Sequence, residues 1–174
     1  MHKALFLDRD GVINVEKDYL YKIEDFEFID GIFELCKYFQ AENYKIFVVT
    51  NQSGIAREFY TEKEFQNLSN WMIQQFQDHE IKLTKIYHCP HHPKYSGECD
   101  CRKPNPGMFL QAAKEFDIDL KNSVMVGDKE RDIEAAINAG LQTTYLFDET
   151  NSIKLSKATK IVSSLKEIID ADLK

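Results

Sequence analysis

The sequence lacks any long hydrophobic run. No segment approaches the ~20 apolar residues that cross a bilayer, which argues against a membrane-spanning protein. The N-terminal stretch MHKALFLDRDG offers only a few apolar residues before charges begin, so we expect no secretory signal and a cytoplasmic location. Internal repeats, low-complexity segments and long linkers are also missing. We therefore expect one domain that covers residues 1–174.

The sequence also lacks an excess of positive charge. Lys and Arg number 22 against 29 Asp and Glu, a formal net charge of -7, which gives no general attraction for nucleic acid or an anionic membrane. A small anionic substrate stays compatible with this balance, because a metal ion and a few local cations can reverse the field inside one cleft. We expect a small-molecule substrate and a monomeric protein.

Cysteine is scarce, and its four copies are unevenly distributed. Cys36 stands alone in a helical pattern, where core packing explains it, whereas the other three crowd into YHCPHHPKYSGECDCRKP. In a reducing compartment such crowding indicates a metal site rather than disulfides. Three thiolates and one imidazole in a CxH…CxC pattern suit a closed tetrahedral Zn²⁺ site formed by Cys89, His91, Cys99 and Cys101. His88 and His92 are rival ligands from the same loop.

What the sequence does contain is a regular alternation of strand and helix patterns. The runs KALFL, YKIFVVT, TKIYHC, SVMVGD and TTYLF read as strands, and amphipathic helical runs separate them. Thr61 and Glu64 form a capping box, and Asn105 is the expected N-cap of a helix that has Pro106 at its first position. The alternation predicts an α/β, Rossmann-like three-layer sandwich with a mainly parallel sheet covered on both faces. One helix, one strand and the cysteine loop fill the chain from Thr50 to Lys103, which leaves no room for a large cap domain.

Polar side chains follow four of the predicted strands. They are Asp8 and Asp10, then Thr50, Asn51, Gln52 and Ser53, then Arg102 and Lys103 after the cysteine loop, and finally Asp128, Lys129 and Asp132. Ligands of open parallel sheets bind outside the carboxyl ends of the strands, so we expect these side chains to converge. Three acids with few other ligands suit Mg²⁺, and a lysine with a hydroxyl suits a phosphoryl group.

Two neighbouring carboxylates can divide the work of phosphoryl transfer. One attacks phosphorus to form an aspartyl-phosphate, and the other protonates the leaving oxygen and later deprotonates water. Spacing alone leaves open which of Asp8 and Asp10 takes each part. Asp132 is equally open, since it either belongs to the outer metal shell or favours the positive end of its helix.

The combination of DxDG after the first strand, Thr after the second, Lys before Pro, and GDxxxD after the fourth resembles the haloacid dehalogenase superfamily. That resemblance implies Asp8 as nucleophile and Asp10 as general acid/base. It assigns the remaining roles as follows: Thr50 and Lys103 hold the phosphoryl group, Asp8, the Asp10 carbonyl and Asp128 hold Mg²⁺, and Asp132 is an outer-shell acid.

Longer stretches are similar to the D-glycero-D-manno-heptose 1,7-bisphosphate 7-phosphatases, up to about Phe147. They are LDRDGVIN, FIDG, VVTNQSGIAR, CPHHP, CDCRKPNPGM and MVGDK. The similarity implies Mg²⁺-dependent removal of the 7-phosphate in ADP-heptose synthesis for bacterial lipopolysaccharide, and it names the same four zinc ligands. The implied substrate contacts are Asp8, Arg9, Asp10, Glu16, Lys17, Asp18, Tyr19, Thr50, Asn51, Gln52, Ser53, Arg102, Lys103 and Lys129. Of these, the EKDY stretch is the weakest match.

Two alternative functions remain open from the sequence. One is a phosphatase for histidinol phosphate or another small phosphomonoester, because histidinol-phosphatases share many of these motifs. The other is a zinc-stabilised binding protein without catalytic activity, although every catalytic residue type is present. A polynucleotide phosphatase is disfavoured by the acidic balance and the lack of a basic stripe.

Overall fold

A computed structural model describes residues 1–173, in which six parallel strands form one sheet with the order β3-β2-β1-β4-β5-β6. The strands are β1 (Ala4–Leu7), β2 (Lys45–Asn51), β3 (Leu83–Cys89), β4 (Val124–Gly127), β5 (Thr143–Phe147) and β6 (Lys160–Val162). Because β1 lies between β2 and β4, the motifs that follow these three strands meet at one edge. The predicted α/β fold with a parallel sheet is confirmed.

Helices cover both faces of the sheet. They are α1 (Ile32–Ala41), α2 (Glu62–Asp78), α3 (Pro93–Ser96), α4 (Gly107–Phe116), α5 (Glu130–Ala139) and α6 (Lys166–Asp172). Neighbouring residues of β1 serve opposite layers, because side chains alternate along a strand. Leu5 and Leu7 belong to a core with α1, α2 and α6 residues, whereas Phe6 packs with α4 and α5 residues such as Phe109. This alternation produces the three layers.

Of the two predicted helix N-caps, Thr61 and Asn105, the structure contains one. The Thr61–Glu64 box is confirmed, since the Glu64 N–H donates to Thr61 Oγ1 at 3.2 Å and the Thr61 N–H donates to Glu64 Oε2 at 2.8 Å. The predicted Asn105 cap is wrong, because α4 begins at Gly107 with Pro106 as its cap residue. The Asn105 amide instead donates to the Cys99 carbonyl at 2.7 Å, so a tertiary contact in the cysteine loop displaces the local one.

The segment between β2 and Lys103 contains α2, β3, α3 and the cysteine loop, and within residues 1–173 it forms no large cap domain. Loops therefore border the cleft at the carboxyl edge of the sheet. No helix in the described part of the chain is long and apolar enough to cross a membrane.

Candidate active site

The end of β1 is fixed beside the end of β4. The Asp8 N–H donates to the Val126 carbonyl at 3.1 Å, and the chain then turns through Gly11 with a φ of 89°. A Cβ at Gly11 would lie 2.2 Å from Asp128 Oδ2, so this turn needs glycine both for its backbone conformation and for the close approach of Asp128. The acids of the first and fourth motifs are thereby brought together.

Three carboxylates form a cluster at this edge. Asp8, Asp128 and Asp132 each place an oxygen within 4.8 Å of the others. Burial raises the pKa of Asp8 well above its usual range, and the charges of Asp132 and Asp128 raise it further against the opposing effect of Lys103. Burial, followed by the Asp132 charge, also raises the pKa of Asp128.

The cluster fits a divalent cation. Asp128 Oδ1 is buried, and none of residues 1–173 provides it with a hydrogen-bond partner. Burying an unpaired carboxylate oxygen costs free energy that a metal ion would recover. An all-oxygen donor set that borders a pocket is the kind of site that Mg²⁺ occupies in phosphoryl-transfer proteins.

Lys103 is the cation of this cluster. It is only 2% exposed, and its Nζ lies 2.9 Å from Asp8 Oδ1, 2.7 Å from Asp132 Oδ1 and 2.8 Å from the Val49 carbonyl. Burial alone would lower the pKa of Lys103, but the attraction of Asp132 and Asp8 leaves it raised. The side chain is therefore held as an ammonium.

The backbone of Lys103 is clamped by a residue from β2. The Lys103 N–H donates to Asn51 Oδ1 at 3.0 Å, and Asn51 Nδ2 donates to the Lys103 carbonyl at 3.2 Å. Asn51, expected as a substrate contact, thus also connects the end of β2 to the end of the cysteine loop.

Asp132 takes the helix-start role that the sequence left open, and it also contacts the lysine of the cluster. Its Oδ2 accepts hydrogen bonds from the backbone N–H groups of Asp128 at 3.2 Å and Lys129 at 3.1 Å, at the start of α5. Its Oδ1 faces Lys103 at 2.7 Å. A Cβ at Gly127 would lie 2.4 Å from the Asp132 Cβ, so glycine is needed for this close packing. The helix start and the charged cluster depend on one side chain.

Asp10 is not part of this group of three carboxylates, and it is held by donors on both oxygens. Oδ1 accepts from Arg9 Nη2 at 2.9 Å and Asn14 Nδ2 at 3.0 Å, and Oδ2 accepts from Gln52 Nε2 at 3.0 Å. Arg9, expected as a substrate contact, is 2% exposed, and it also donates to the Leu20 carbonyl at 2.8 Å. Arg9 therefore fixes both Asp10 and the loop that follows it.

A cleft of about 360 Å³ opens next to Asp10. It is lined by the expected residues Asp10, Glu16, Asp18, Tyr19, Asn51, Gln52, Ser53, Arg102 and Lys129, together with Arg57, Tyr60 and Arg131. Lys17 is not among the lining residues, because its Nζ donates to the Asp25 carbonyl at 2.8 Å and lies 3.5 Å from Glu27. Thr50, also expected at the site, is buried and accepts a hydrogen bond from Gln52 Nε2 at 2.9 Å.

The sequence prediction missed three cleft residues. Arg57 and Tyr60 follow the TNQSG turn after β2, and Arg131 lies in the first turn of α5 next to the GDK stretch. Their nearness to these two motifs is the signal that could have identified them. Together with Arg102 and Lys129, the two arginines make the mouth of the cleft rich in cations.

The cysteine loop brings together the sulfurs of three residues. Cys89 Sγ lies 2.7 Å from Cys101 Sγ and 3.5 Å from Cys99 Sγ, and the Cys99–Cys101 distance is 3.4 Å. No disulfide joins the cysteines within residues 1–173, and the three thiols form a group able to hold a metal ion. The ring of His91 is not placed within that group in the described chain.

The rival histidines have other partners. His88 Nε2 lies 2.7 Å from Glu62 Oε1, and its ring stacks on Phe65. His92 Nδ1 accepts from the Lys94 N–H at 3.2 Å, and its Nε2 lies 3.2 Å from Arg57 Nη2. Neither ring is directed to the three sulfurs.

Comparison with known proteins identifies relatives of the kind that the motifs resemble. The HAD-hydrolase-like family model matches residues 100–168. The chain is 53% identical over 168 residues to the D-glycero-alpha-D-manno-heptose-1,7-bisphosphate 7-phosphatase of Campylobacter jejuni, covering 97% of this chain and 94% of that one. It is 43% identical to the corresponding beta-anomer phosphatase of Haemophilus ducreyi, with 96% of each chain covered.

A solved structure agrees with the fold. The D,D-heptose 1,7-bisphosphate phosphatase of B. bronchiseptica, crystallised with magnesium and phosphate, superimposes with a TM-score of 0.86 at 29% identity, and the match covers 98% of both chains.

Proposed function

The chain belongs to the D-glycero-D-manno-heptose-1,7-bisphosphate 7-phosphatases of the HAD hydrolases, and we propose that it removes the 7-phosphate of D-glycero-D-manno-heptose 1,7-bisphosphate through an aspartyl-phosphate intermediate. The observation that carries the proposal is the buried contact of Lys103 with Asp8 beside Asp128. These three residues line a small pocket of about 50 Å³ that shares Asp10, Lys129 and Arg131 with the larger cleft. A nucleophile, its cation and the acids for a metal ion are in one place.

In this proposal Asp8 is the nucleophile and Asp10 the general acid/base. Lys103 occupies Oδ1 of Asp8, which leaves Oδ2 to attack phosphorus. As the bond from phosphorus to the sugar oxygen breaks, Asp10 gives its proton to that oxygen. It then takes a proton from the water that hydrolyses the acyl phosphate, and Asp8 is regenerated.

Lys103 and Thr50 hold the transferring phosphoryl group. Lys103 Nζ already has three oxygen neighbours, so a phosphoryl oxygen would replace one of them, most directly Asp8 Oδ1. The Thr50 hydroxyl accepts from Gln52, so its own hydrogen is available to a phosphoryl oxygen. Fixed donors of this kind stabilise the charge that spreads over the phosphoryl oxygens during transfer.

We propose Mg²⁺ as the cofactor. Asp8, the Asp10 carbonyl and Asp128 would hold it, and the unpaired buried Oδ1 of Asp128 supports this assignment. When bound, the ion neutralises charge on the carboxylates and the phosphoryl oxygens.

We also propose a structural Zn²⁺ ion that is bound by Cys89, Cys99, Cys101 and His91. The three gathered sulfurs support it, and the other partners of His88 and His92 favour His91 as the fourth ligand. Arg102 directly follows Cys101, so the ion would fix the approach of Arg102 and Lys103 to the cleft.

The excess of cations in the cleft favours a bisphosphate over histidinol phosphate. Four cations line the cleft against three acids, so its net charge favours an added phosphate over the ammonium group of histidinol; the cations are Arg57, Arg102, Lys129 and Arg131, and the acids are Asp10, Glu16 and Asp18. A second phosphate on the leaving group gives these cations a partner. We place the reaction in ADP-heptose synthesis for lipopolysaccharide, carried out by a monomer in the cytoplasm.

Steady-state kinetics test the proposal. We expect a higher kcat/KM for heptose 1,7-bisphosphate than for histidinol phosphate, with phosphate released from position 7, and both anomers are assayed because relatives of both names match. Asp8→Asn is the inactive control. A higher kcat/KM for histidinol phosphate would overturn the substrate assignment, and equal rates of wild type and Asp8→Asn would overturn the enzymatic one.

A further inference from the structure

Tyr60 is a buried residue that has no role in the reaction described above. It is 5% exposed, and its ring packs against Gly54, where a Cβ would lie 2.1 Å from the ring. On its other side the ring stacks on Tyr21, with 5.4 Å between centroids and 16° between planes. The position and orientation of the Tyr60 hydroxyl are therefore determined by close packing.

That hydroxyl donates to Gln52 Oε1. Gln52 Nε2 in turn donates to Asp10 Oδ2 at 3.0 Å and to Thr50 Oγ1 at 2.9 Å. One amide thus connects the proposed general acid/base to the hydroxyl that is proposed to hold the phosphoryl group. Burial raises the pKa of Tyr60, so its hydroxyl stays a donor.

We propose that Tyr60 is a positioning residue that fixes the amide orientation of Gln52 and thereby keeps the proton of Asp10 available to the leaving group. The inference rests on the proposed function, because it assumes that Asp10 protonates the departing oxygen. With Oε1 engaged by Tyr60, only the amino end of Gln52 can face Asp10. In the flipped orientation Oε1 would accept the Asp10 proton and withhold it from the substrate.

The flip would also affect Thr50. An amide oxygen facing Thr50 Oγ1 would accept the hydroxyl hydrogen that the phosphoryl oxygen needs. The alternative acceptor near Thr50, the Asn51 carbonyl, is already at the long distance of 3.5 Å. Tyr60 therefore affects both the protonated leaving oxygen and the phosphoryl oxygens, without contacting either.

Leaving-group chemistry separates this role from a structural one. An alkoxide leaves only when it is protonated, whereas p-nitrophenolate leaves without a proton. In the Mg²⁺-loaded full chain, Tyr60→Phe is expected to lower kcat/KM for heptose bisphosphate about tenfold and for p-nitrophenyl phosphate by no more than about threefold. The effect on Thr50 acts on both substrates, whereas the effect on the Asp10 proton acts only on the substrate with an alkoxide leaving group. Tyr21→Phe is the matched control, since it removes a hydroxyl from the same ring stack and should change neither value.

A double-mutant cycle tests whether Tyr60 acts through Gln52. In a Gln52→Met background, Tyr60→Phe should cost no further activity, because the amide that it orients is gone. Equal losses on the two substrates, no loss on either, or the same additional loss in the Gln52→Met background would overturn the proposal. A wild type that cleaves p-nitrophenyl phosphate but not heptose bisphosphate would instead reject the proposed function, and the comparison would then use histidinol phosphate.

Discussion

Lys103 Nζ lies between two carboxylates, 2.9 Å from Asp8 Oδ1 and 2.7 Å from Asp132 Oδ1. Asp8 is the proposed nucleophile, whereas Asp132 also accepts two backbone hydrogen bonds at the start of α5. The position of the ammonium thus depends on a residue of the fourth motif as much as on the nucleophile. The following predictions test this arrangement and its surroundings.

Asp132→Asn is expected to destabilise the fold and reduce activity. Asparagine cannot accept from the backbone N–H groups of Asp128 and Lys129 while also accepting from Lys103, because one end of its amide is a donor. Lys103 keeps Asp8 as a charged partner, so the variant loses one charged contact and one buried acceptor, and we expect the free energy of unfolding to fall by about 1–3 kcal/mol. Urea denaturation measures it. An unchanged unfolding midpoint would show that the Lys103–Asp132 contact has no energetic importance.

Asp8→Asn is expected to abolish turnover while the protein stays folded. Loss of a nucleophile typically costs at least roughly a thousandfold in kcat. Because burial raises the pKa of Asp8, a neutral amide is tolerated at this position, and Asp132 still pairs with Lys103. Phosphate release and thermal unfolding measured side by side check both parts. Residual activity within tenfold of wild type would exclude Asp8 as nucleophile.

Cys101→Ser is expected to lower bound zinc and thermal stability together. A structural Zn²⁺ site with three thiolates contributes directly to folding, so loss of one ligand should lower zinc content well below about one ion per chain. Elemental analysis of purified protein provides the measurement. Cys36→Ala is the control, because Cys36 is buried in the core away from this loop and should leave zinc content unchanged.

Arg57→Gln is expected to weaken recognition of the second phosphate. The guanidinium lies 5.0 Å from the Tyr95 ring centroid and 5.7 Å from that of Tyr19, which holds it at the cleft mouth. We expect kcat/KM for the bisphosphate to fall about tenfold, with less than a twofold change for p-nitrophenyl phosphate, which lacks a second phosphate. Equal losses on both substrates would place Arg57 outside the recognition of that group.

Glu115→Gln is expected to make stability less sensitive to acid. Hydrogen bonds from Lys85, Gln111 and Tyr87 lower the pKa of Glu115 from 4.5 to about 2. A lowered folded-state pKa gives stability that is present above pH 4.5 and is lost as the pH falls toward about 2. The stability advantage of wild type over the variant should therefore narrow across that range. Urea midpoints from pH 7 to pH 3 test this, and a constant gap would contradict it.

The convergence of the motif residues could be predicted because parallel strands end at one edge. Asp8, Thr50 and Asp128 follow β1, β2 and β4, and adjacency of these strands brings their ends together. Lys103 follows a long loop, so its place depended on the motif resemblance rather than on periodicity.

What the sequence could not provide were the contacts between loops. Asn105 donates to the Cys99 carbonyl instead of capping α4, and Lys17 pairs with Glu27 instead of lining the cleft. Tyr60 gained its place only because Gly54 leaves room for its ring. Local patterns carry no information on such partners, since each depends on the path of an irregular loop, which has no repeating pattern.

The glycine at position 11 occupies space that any larger residue would take from Asp128. The loops that contain Gly11 and Asp128 consequently cannot change independently, because a larger side chain in the first loop would displace Asp128 in the second. A redesign of either loop therefore has to include the residues of both.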